Sequence, residues 1–105
     1  MTAPIPEIVD SHCHLEYKGL VEDRDGVLAR AREAGVRAFL NISTRRSEWD
    51  QVIGTAAREA DVFASVGIHP HEADAHQDLG RTVLLEATRH PKVIAIGETG
   101  LDYFY

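Results

Sequence analysis

Two histidines one residue apart, His12 and His14, are the first residues of the chain whose types and spacing could do chemistry. They close a short apolar run that begins at Ile8. On a β-strand alternate side chains point to the same face, so the two imidazoles lie side by side while Cys13 points away from them. Imidazole is the commonest metal ligand in proteins. The spacing therefore indicates half of a metal site, with two ordinary strand-end histidines as the alternative.

Two neighbours of the histidines have expected supporting roles. Asp10 shares their parity, so we expect its carboxylate to accept the second ring proton of one histidine and to fix which nitrogen faces the metal. Cys13 is the only cysteine, so the chain forms no internal disulfide. Its position opposite the histidines predicts a buried, unreactive thiol, which is typical of a reducing compartment.

Two more residues of this kind, His69 and Glu98, directly follow short apolar runs. Parallel β/α proteins place their active sites at the carboxyl ends of the strands, both in barrels and in doubly wound sheets. His12, His14, His69 and Glu98 all fall at such ends. This pattern predicts a metal site built on His12, His14 and Glu98.

The elements that position these residues alternate between strand and helix. Segments of strand character begin near residues 7, 36, 62 and 93, at intervals of about 30 residues, the length of a β/α unit. All of them, including the last, read as strands buried on both faces, which predicts a parallel sheet with right-handed crossovers. A helix is expected between each pair of strands. The first should end at Gly35, the second should begin at a capping box of Ser47 and Asp50, and the third should stop before Pro91.

Several polar residues between these elements have no expected chemical role. His71 and His76 read as solvated residues of a polar loop, and Asp102 as a turn residue. Arg45 and Arg46 follow the second strand, where they would either meet a phosphate group or belong to a solvated loop.

Composition narrows the partners of the chain. The formal net charge is −6 at pH 7, which gives no electrostatic reason for broad nucleic-acid affinity. An anionic substrate would have to be attracted by bound cations. The sequence has no apolar stretch long enough to span a membrane and no signal-peptide pattern at its start, so a cytoplasmic location and no membrane partner are expected.

Three motifs resemble the N-terminal signatures of the TatD family of metal-dependent hydrolases. They are IVDSHCHL, GIHPH and IGETGLDY, at residues 8–15, 67–71 and 96–103, in the order that the family has them. The resemblance implies a TIM-type (β/α)8 barrel of the amidohydrolase-like kind. Residues 1–105 would then form a single partial domain, an α/β structure of parallel β/α units that corresponds to the first four strands of the barrel.

The resemblance also implies a function, which is hydrolysis of the phosphodiester bonds of DNA at a divalent-metal centre. His12 and His14 match ligands of one ion, and Glu98 matches the catalytic carboxylate that bridges the two ions of the complete family site. His69 matches a histidine of the pocket, which we assign to substrate phosphate. The ions would be Zn, Mg or Mn. Further ligands come from later strands of the family barrel, so this chain alone is expected to hold an incomplete centre.

Two other functions remain open from the sequence. The first is an ester or amide hydrolase of the same superfamily, such as an aminoacyl-tRNA deacylase, because a fold does not fix its substrate. The second is a non-catalytic metal-binding half-barrel that associates with itself through exposed sheet edges. Glu16 stands where the family usually has aspartate or asparagine, and the sequence assigns it no role.

Overall fold

The computed structural model describes residues 5–101 and 103, and its centre is a parallel sheet. The strands are β1 (Ile8–Cys13), β2 (Val36–Asn41), β3 (Val62–Val66) and β4 (Val93–Ile96), which pair in that order. The helices between them are α1 (Arg24–Glu33), α2 (Trp49–Arg58) and α3 (Arg81–Ala87). Short 3-10 helices, at Val21–Asp23, Arg46–Glu48 and Pro70–His76, precede the three α-helices. The predicted parallel β/α fold is confirmed, and Asp102 lies outside the described residues.

The core lies between the sheet and helices α1 and α2. Leu28 of α1 and Val52 of α2 are fully buried and belong to the same apolar cluster as Phe39 and Val62 of the sheet. Each such side chain stabilises the fold by about 1.5–3 kcal/mol relative to an exposed one. Helices α1 and α2 cover a face of the sheet and leave the carboxyl ends of the strands uncovered. Polar residues can therefore lie at those ends. Within the described residues, no helix is long and apolar enough to cross a membrane.

Two glycines are required by the backbone. Gly35 follows α1 with a φ of 111°, a left-handed conformation that ends the helix where the sequence predicted. Gly67 follows β3 and lies so close to the chain after β4 that an added Cβ would be 2.5 Å from the carbonyl carbon of Gly97. A side chain at position 67 would force these segments apart. This close approach fixes the separation of the residues that follow, His69 and Glu98.

The predicted capping box at the start of α2 is wrong. Ser47 lies inside the preceding 3-10 helix, and no side chain caps the first turn of α2. Glu48 is instead turned back toward Thr44, and its carboxylate accepts hydrogen bonds from the backbone nitrogen and the hydroxyl of Thr44 at 2.9 and 2.5 Å. The acidic side chain therefore orders the loop after β2 rather than the helix.

The prediction that β4 is buried on both faces is also wrong. Ile94 and Ile96 are 60% and 51% exposed. The reason is that, among the described residues, β4 pairs with β3 alone and no element covers the face that carries these two side chains. β1, the other edge strand, likewise exposes Val9.

A two-pronged ion pair joins α1 to the segment before β3. Arg32 donates from Nε and Nη2 to the two carboxylate oxygens of Asp61 at 2.8 and 2.7 Å, and Nη2 also lies 3.3 Å from Glu59 Oε1. These hydrogen bonds hold the pKa of Asp61 below its ordinary value. The pair fastens the outer helix layer to the amino end of the sheet.

Replacing Asp61 by asparagine is expected to lower the free energy of unfolding by about 1 kcal/mol near neutral pH, because the pair is partly exposed. The folded state lowers the pKa of Asp61, so its stabilisation is complete above the unfolded pKa of about 3.9 and is lost as the pH falls through the folded value. Urea unfolding of both proteins at about pH 7 and about pH 3 measures this loss. The same change at Asp78, in an exposed turn, is the control. A difference that does not shrink in acid would contradict the assignment.

Candidate metal centre

The carboxyl edge of the sheet brings His12, His14, His69 and Glu98 together. Glu98 Oε2 lies 3.3 Å from His12 Nε2 and 3.8 Å from His14 Nε2. The other carboxylate oxygen, Oε1, lies 3.2 Å from His69 Nε2. The Glu98 carboxylate is therefore the centre of the group, and one of its oxygens faces two histidines while the other faces the third.

Three of these residues have the geometry of a metal site. One ligand atom from each of His12, His14 and Glu98 can be chosen so that all three lie within 4.8 Å of one another. Two atoms bound to one tetrahedral zinc at 2.0–2.1 Å lie about 3.3 Å apart, which is close to the 3.3 and 3.8 Å that separate Glu98 Oε2 from the two imidazole nitrogens. Two histidines and a glutamate are also the protein ligands of some catalytic zinc sites. The three residues fit one divalent ion with an open position.

The ring of His14 is oriented for metal binding. Its Nδ1 lies 3.3 Å from the carbonyl oxygen of Ile42. A carbonyl oxygen only accepts, so Nδ1 carries the ring proton and the lone pair is left on Nε2, the nitrogen that faces Glu98. The ring of Tyr17 stacks on the imidazole with centroids 4.2 Å apart and planes 11° from parallel. Backbone and aromatic contacts together orient the ring and leave the lone pair of His14 Nε2 on the side of Glu98.

His69 has the opposite arrangement. Its Nδ1 accepts a hydrogen bond from the backbone nitrogen of His71 at 3.0 Å. In the neutral ring the proton is therefore on Nε2, the nitrogen that faces Glu98. A protonated nitrogen has no lone pair for a metal ion, so His69 presents a hydrogen-bond donor where His14 presents a lone pair. This difference favours a role for His69 toward substrate.

The prediction that the Asp10 carboxylate accepts a ring proton from a histidine is wrong. Asp10 Oδ1 accepts from the backbone nitrogen of His12 at 3.1 Å rather than from an imidazole ring. The ring proton of His14 goes instead to a backbone carbonyl of the loop after β2. The carboxylate of Asp10 thus orders the end of β1.

Cys13 has the unreactive thiol that the sequence predicted. It is half-buried beside the core, and its Sγ lies 3.4 Å from the carbonyl oxygen of Leu40, to which the thiol donates. Burial raises the pKa of the Cys13 thiol to about 12, and the charge of Asp10 acts in the same direction. The thiol is therefore neutral at physiological pH and points away from the metal centre.

The interpretation of His76 as a solvated loop residue is wrong. It ends a 3-10 helix, is half-buried and uses both ring nitrogens. Nδ1 donates to the carbonyl oxygen of Glu72 at 2.7 Å, and Nε2 accepts from the backbone nitrogen of Arg46 at 3.2 Å. Arg45 lies 3.8 Å from the Glu72 carboxylate, while the exposed His71 packs against the ring of His69. His76 thus joins the loops that follow β2 and β3.

Glu16 belongs to the protein interior rather than to the site. Its side chain is only 3% exposed, and Oε2 accepts from Arg24 Nη1 at 2.6 Å. The hydroxyl of Thr55 and the amide of Asn41 donate to Oε1. The carboxylate therefore joins the loop after β1 to both helices of the core, which gives this departure from the family motif a structural role.

The fold and the site together define a class, a parallel β/α protein whose sheet carries a candidate metal-binding group at its carboxyl edge. Comparison with known families then identifies the chain. The family model described as TatD related DNase matches residues 9–105. The chain belongs to the TatD family of metal-dependent hydrolases.

Individual relatives agree with this assignment. The metal-dependent hydrolase YjjV of Escherichia coli is 32% identical over 102 residues, which cover 95% of this chain and 39% of YjjV. The 3'-5' ssDNA/RNA exonuclease TatD of Cronobacter turicensis is 41% identical over 81 residues, or 77% of this chain and 31% of that enzyme.

The crystal structure of YjjV superposes with a TM-score of 0.74 at 30% identity, over 92% of this chain and 38% of YjjV. It confirms that the four parallel strands and the helices between them have the fold of part of a TatD barrel. The chain spans less than half the length of these relatives.

Proposed function

We propose that this chain contributes the His-His-Glu part of the active site of a hydrolase that cleaves phosphodiester bonds of DNA with divalent metal ions. The observation that carries the proposal is the convergence of His12, His14 and Glu98 within 4.8 Å, with the Nε2 donor of His69 beside them. The exonuclease names of several relatives favour a nucleic acid over the ester or amide substrates of the alternative.

Each residue of the centre has a distinct role in this proposal. His12 and His14 supply neutral nitrogen ligands, and Glu98 Oε2 supplies an anionic one. When bound, a divalent ion such as Zn, Mn or Mg would polarise the phosphate and make an attacking water more acidic, and a complete family site would hold two ions. Glu98 Oε1 faces His69 Nε2 and would keep that ring turned toward the centre. His69 would donate from Nε2 to a phosphate oxygen and orient the scissile bond.

Overall charge makes this chemistry depend on bound cations. The chain has a formal net charge of −6, so DNA is repelled at long range. Ions at the centre would neutralise the Glu98 carboxylate and attract the phosphate. Binding of DNA is therefore expected to require the metal.

A fluorescently labelled single-stranded oligonucleotide is expected to bind the chain in Mn²⁺ and to be released by EDTA, as measured by fluorescence anisotropy. His69→Ala should weaken binding about tenfold, the loss expected for one hydrogen bond to a charged group, without changing the metal content. His90→Ala is the matched control, because this histidine precedes β4 and so lies at the amino end of the sheet. Equal binding in EDTA, or a His69 variant that binds like the parent, would refute the roles assigned.

Cleavage is tested in a chimera that carries this chain in place of the matched part of E. coli YjjV. The chimera is expected to release mononucleotides from the oligonucleotide in a metal-dependent reaction, whereas the isolated chain, with ligands for one ion, is expected to bind without measurable cleavage. A chimera that folds but stays inactive with Mg²⁺, Mn²⁺ and Zn²⁺ would count against the proposed reaction.

We also propose that the isolated chain associates with a second copy of itself. The two edge strands expose Val9, Ile94 and Ile96, and an edge strand carries unpaired backbone donors and acceptors. Light scattering at micromolar concentration is expected to show a dimer or larger assembly, and Ile94→Lys with Ile96→Lys to dissociate it. A monomeric parent chain would refute this proposal.

A further inference from the structure

Two fully buried serines lie between the strands next to the metal centre. Ser43 follows β2, Ser65 belongs to β3, and both are 0% exposed. The hydroxyl of Ser43 donates to the carbonyl oxygen of Ser65 at 2.8 Å. The hydroxyl of Ser65 accepts from the backbone nitrogen of Ser43 at 3.1 Å and donates to the carbonyl oxygen of Gly97 at 2.8 Å. A chain of hydrogen bonds thus connects β2 to β3 and ends at the residue before Glu98.

The peptide group before Glu98 is held at both of its polar atoms. Its carbonyl oxygen, on Gly97, accepts from Ser65, and its nitrogen, on Glu98, donates to the carbonyl oxygen of Ser43 at 2.9 Å. The backbone nitrogen of His69 donates in the same way to the neighbouring residue of the loop after β2 at 2.7 Å. The serine network therefore fixes the backbone from which the central carboxylate of the site projects.

Burying these hydroxyls is not needed to fill the sheet. A buried hydroxyl without a partner costs free energy, and alanine or valine would pack between strands without that requirement. What the hydroxyls add is direction, because a hydrogen bond fixes the position of the peptide that accepts it and an apolar contact does not. Replacing a residue that orients a metal ligand in this way commonly weakens the affinity of the site for its metal.

We propose that Ser43 and Ser65 are positioning residues that set the Glu98 carboxylate between the histidines of the metal centre. The hydroxyl of Ser65 determines where the Gly97 carbonyl lies, and this in turn determines where the Glu98 side chain begins. The identity of the centre as a metal site rests on the proposed function. The hydrogen-bond network and its effect on the Glu98 backbone do not.

Ser65→Ala tests the proposal against Thr55→Val, a control that also removes a fully buried hydroxyl but on the Glu16 side of the core. Co²⁺ titration is expected to give about a tenfold weaker affinity for Ser65→Ala and an altered visible absorption spectrum of the bound ion. Thr55→Val should lower the thermal midpoint while leaving both readouts unchanged. Equal weakening in the two variants would mean general destabilisation and would overturn the proposal.

Amide hydrogen exchange supplies a readout that needs no metal. In Ser65→Ala the backbone amide of Glu98 is expected to exchange faster. The backbone amide of Phe39, which donates to the backbone carbonyl oxygen of Asp61 at the other end of the sheet, should keep its protection. A Glu98 amide that stays as protected as in the parent would overturn the positioning role. If the parent chain bound no Co²⁺, the proposed function would fail, and faster exchange confined to Glu98 would still support the positioning role.

Discussion

The double variant His12→Ala, His14→Ala is expected to lose the divalent metal that the parent chain binds. Elemental mass spectrometry of the purified parent should find about one equivalent, since His12, His14 and Glu98 would supply three ligands to one ion. Removing a residue that only supports a metal ligand typically weakens metal affinity by at most about a hundredfold. Removing both histidine ligands should weaken it by more than that. Both imidazoles lie at the edge of the sheet and outside the apolar core, so the variant is expected to keep the far-ultraviolet circular dichroism of the parent.

A matched pair of glutamates separates the loss of a ligand from a change of charge. Glu98→Gln removes the anionic oxygen that faces both histidines and is expected to lower the metal content in the same way. Glu86→Gln makes the same chemical change on α3, where the side chain is 67% exposed and lies beside Arg89. The control should retain its metal. Metal retained by the double histidine variant, or lost equally from both glutamine variants, would place the ion elsewhere.

The positions of the four site residues could be predicted because each depends on local sequence. A short apolar run marks a strand, and the first polar residues after it mark the carboxyl end, where parallel β/α proteins carry their sites. His12, His14, His69 and Glu98 lie at three such ends, those of β1, β3 and β4, and the structure brings all four residues together. Their roles as ligands and donor remain predictions.

The contacts that orient these residues could not be predicted because they are made between distant parts of the chain. The proton position of His14 depends on the carbonyl of Ile42, which is 28 residues away. The Arg46 backbone nitrogen that donates to His76 is 30 residues away, so the local sequence around His76 does not show this contact. The sequence of β4 is apolar at every position, but an apolar strand does not show how many neighbours it has. Exposure of Ile96 followed from the sheet order, which periodicity does not encode.

Glu16 shows how a departure from a family motif can be explained only by the packed structure. The sequence marked the residue as unusual and assigned it no role. Its carboxylate lies on the helix side of the sheet, where Arg24 supplies the balancing charge and Thr55 and Asn41 supply further donors. Removing one partner of a buried ion pair is strongly destabilising, because it leaves an uncompensated charge in the protein interior.

Arg24→Met is therefore expected to lower the free energy of unfolding by about 3 kcal/mol, because it leaves the Glu16 carboxylate buried without its cation. Arg30→Met, on the same helix, is the control, since Arg30 and its partner Asp23 are 67% and 69% exposed. The control should cost no more than about 0.5 kcal/mol in urea unfolding. Equal losses in the two variants would contradict the assignment of Glu16 as a buried ion-pair residue.

The double variant Arg24→Met, Glu16→Gln tests the same argument from the other side. If the cost of Arg24→Met comes from an unpaired carboxylate, then neutralising Glu16 should recover part of the lost stability, and the two changes should not be additive. If the cost comes instead from lost packing of the arginine stem, the second change should add to the first. A recovered stability would show that Glu16 and Arg24 act as one unit that attaches the loop after β1 to α1.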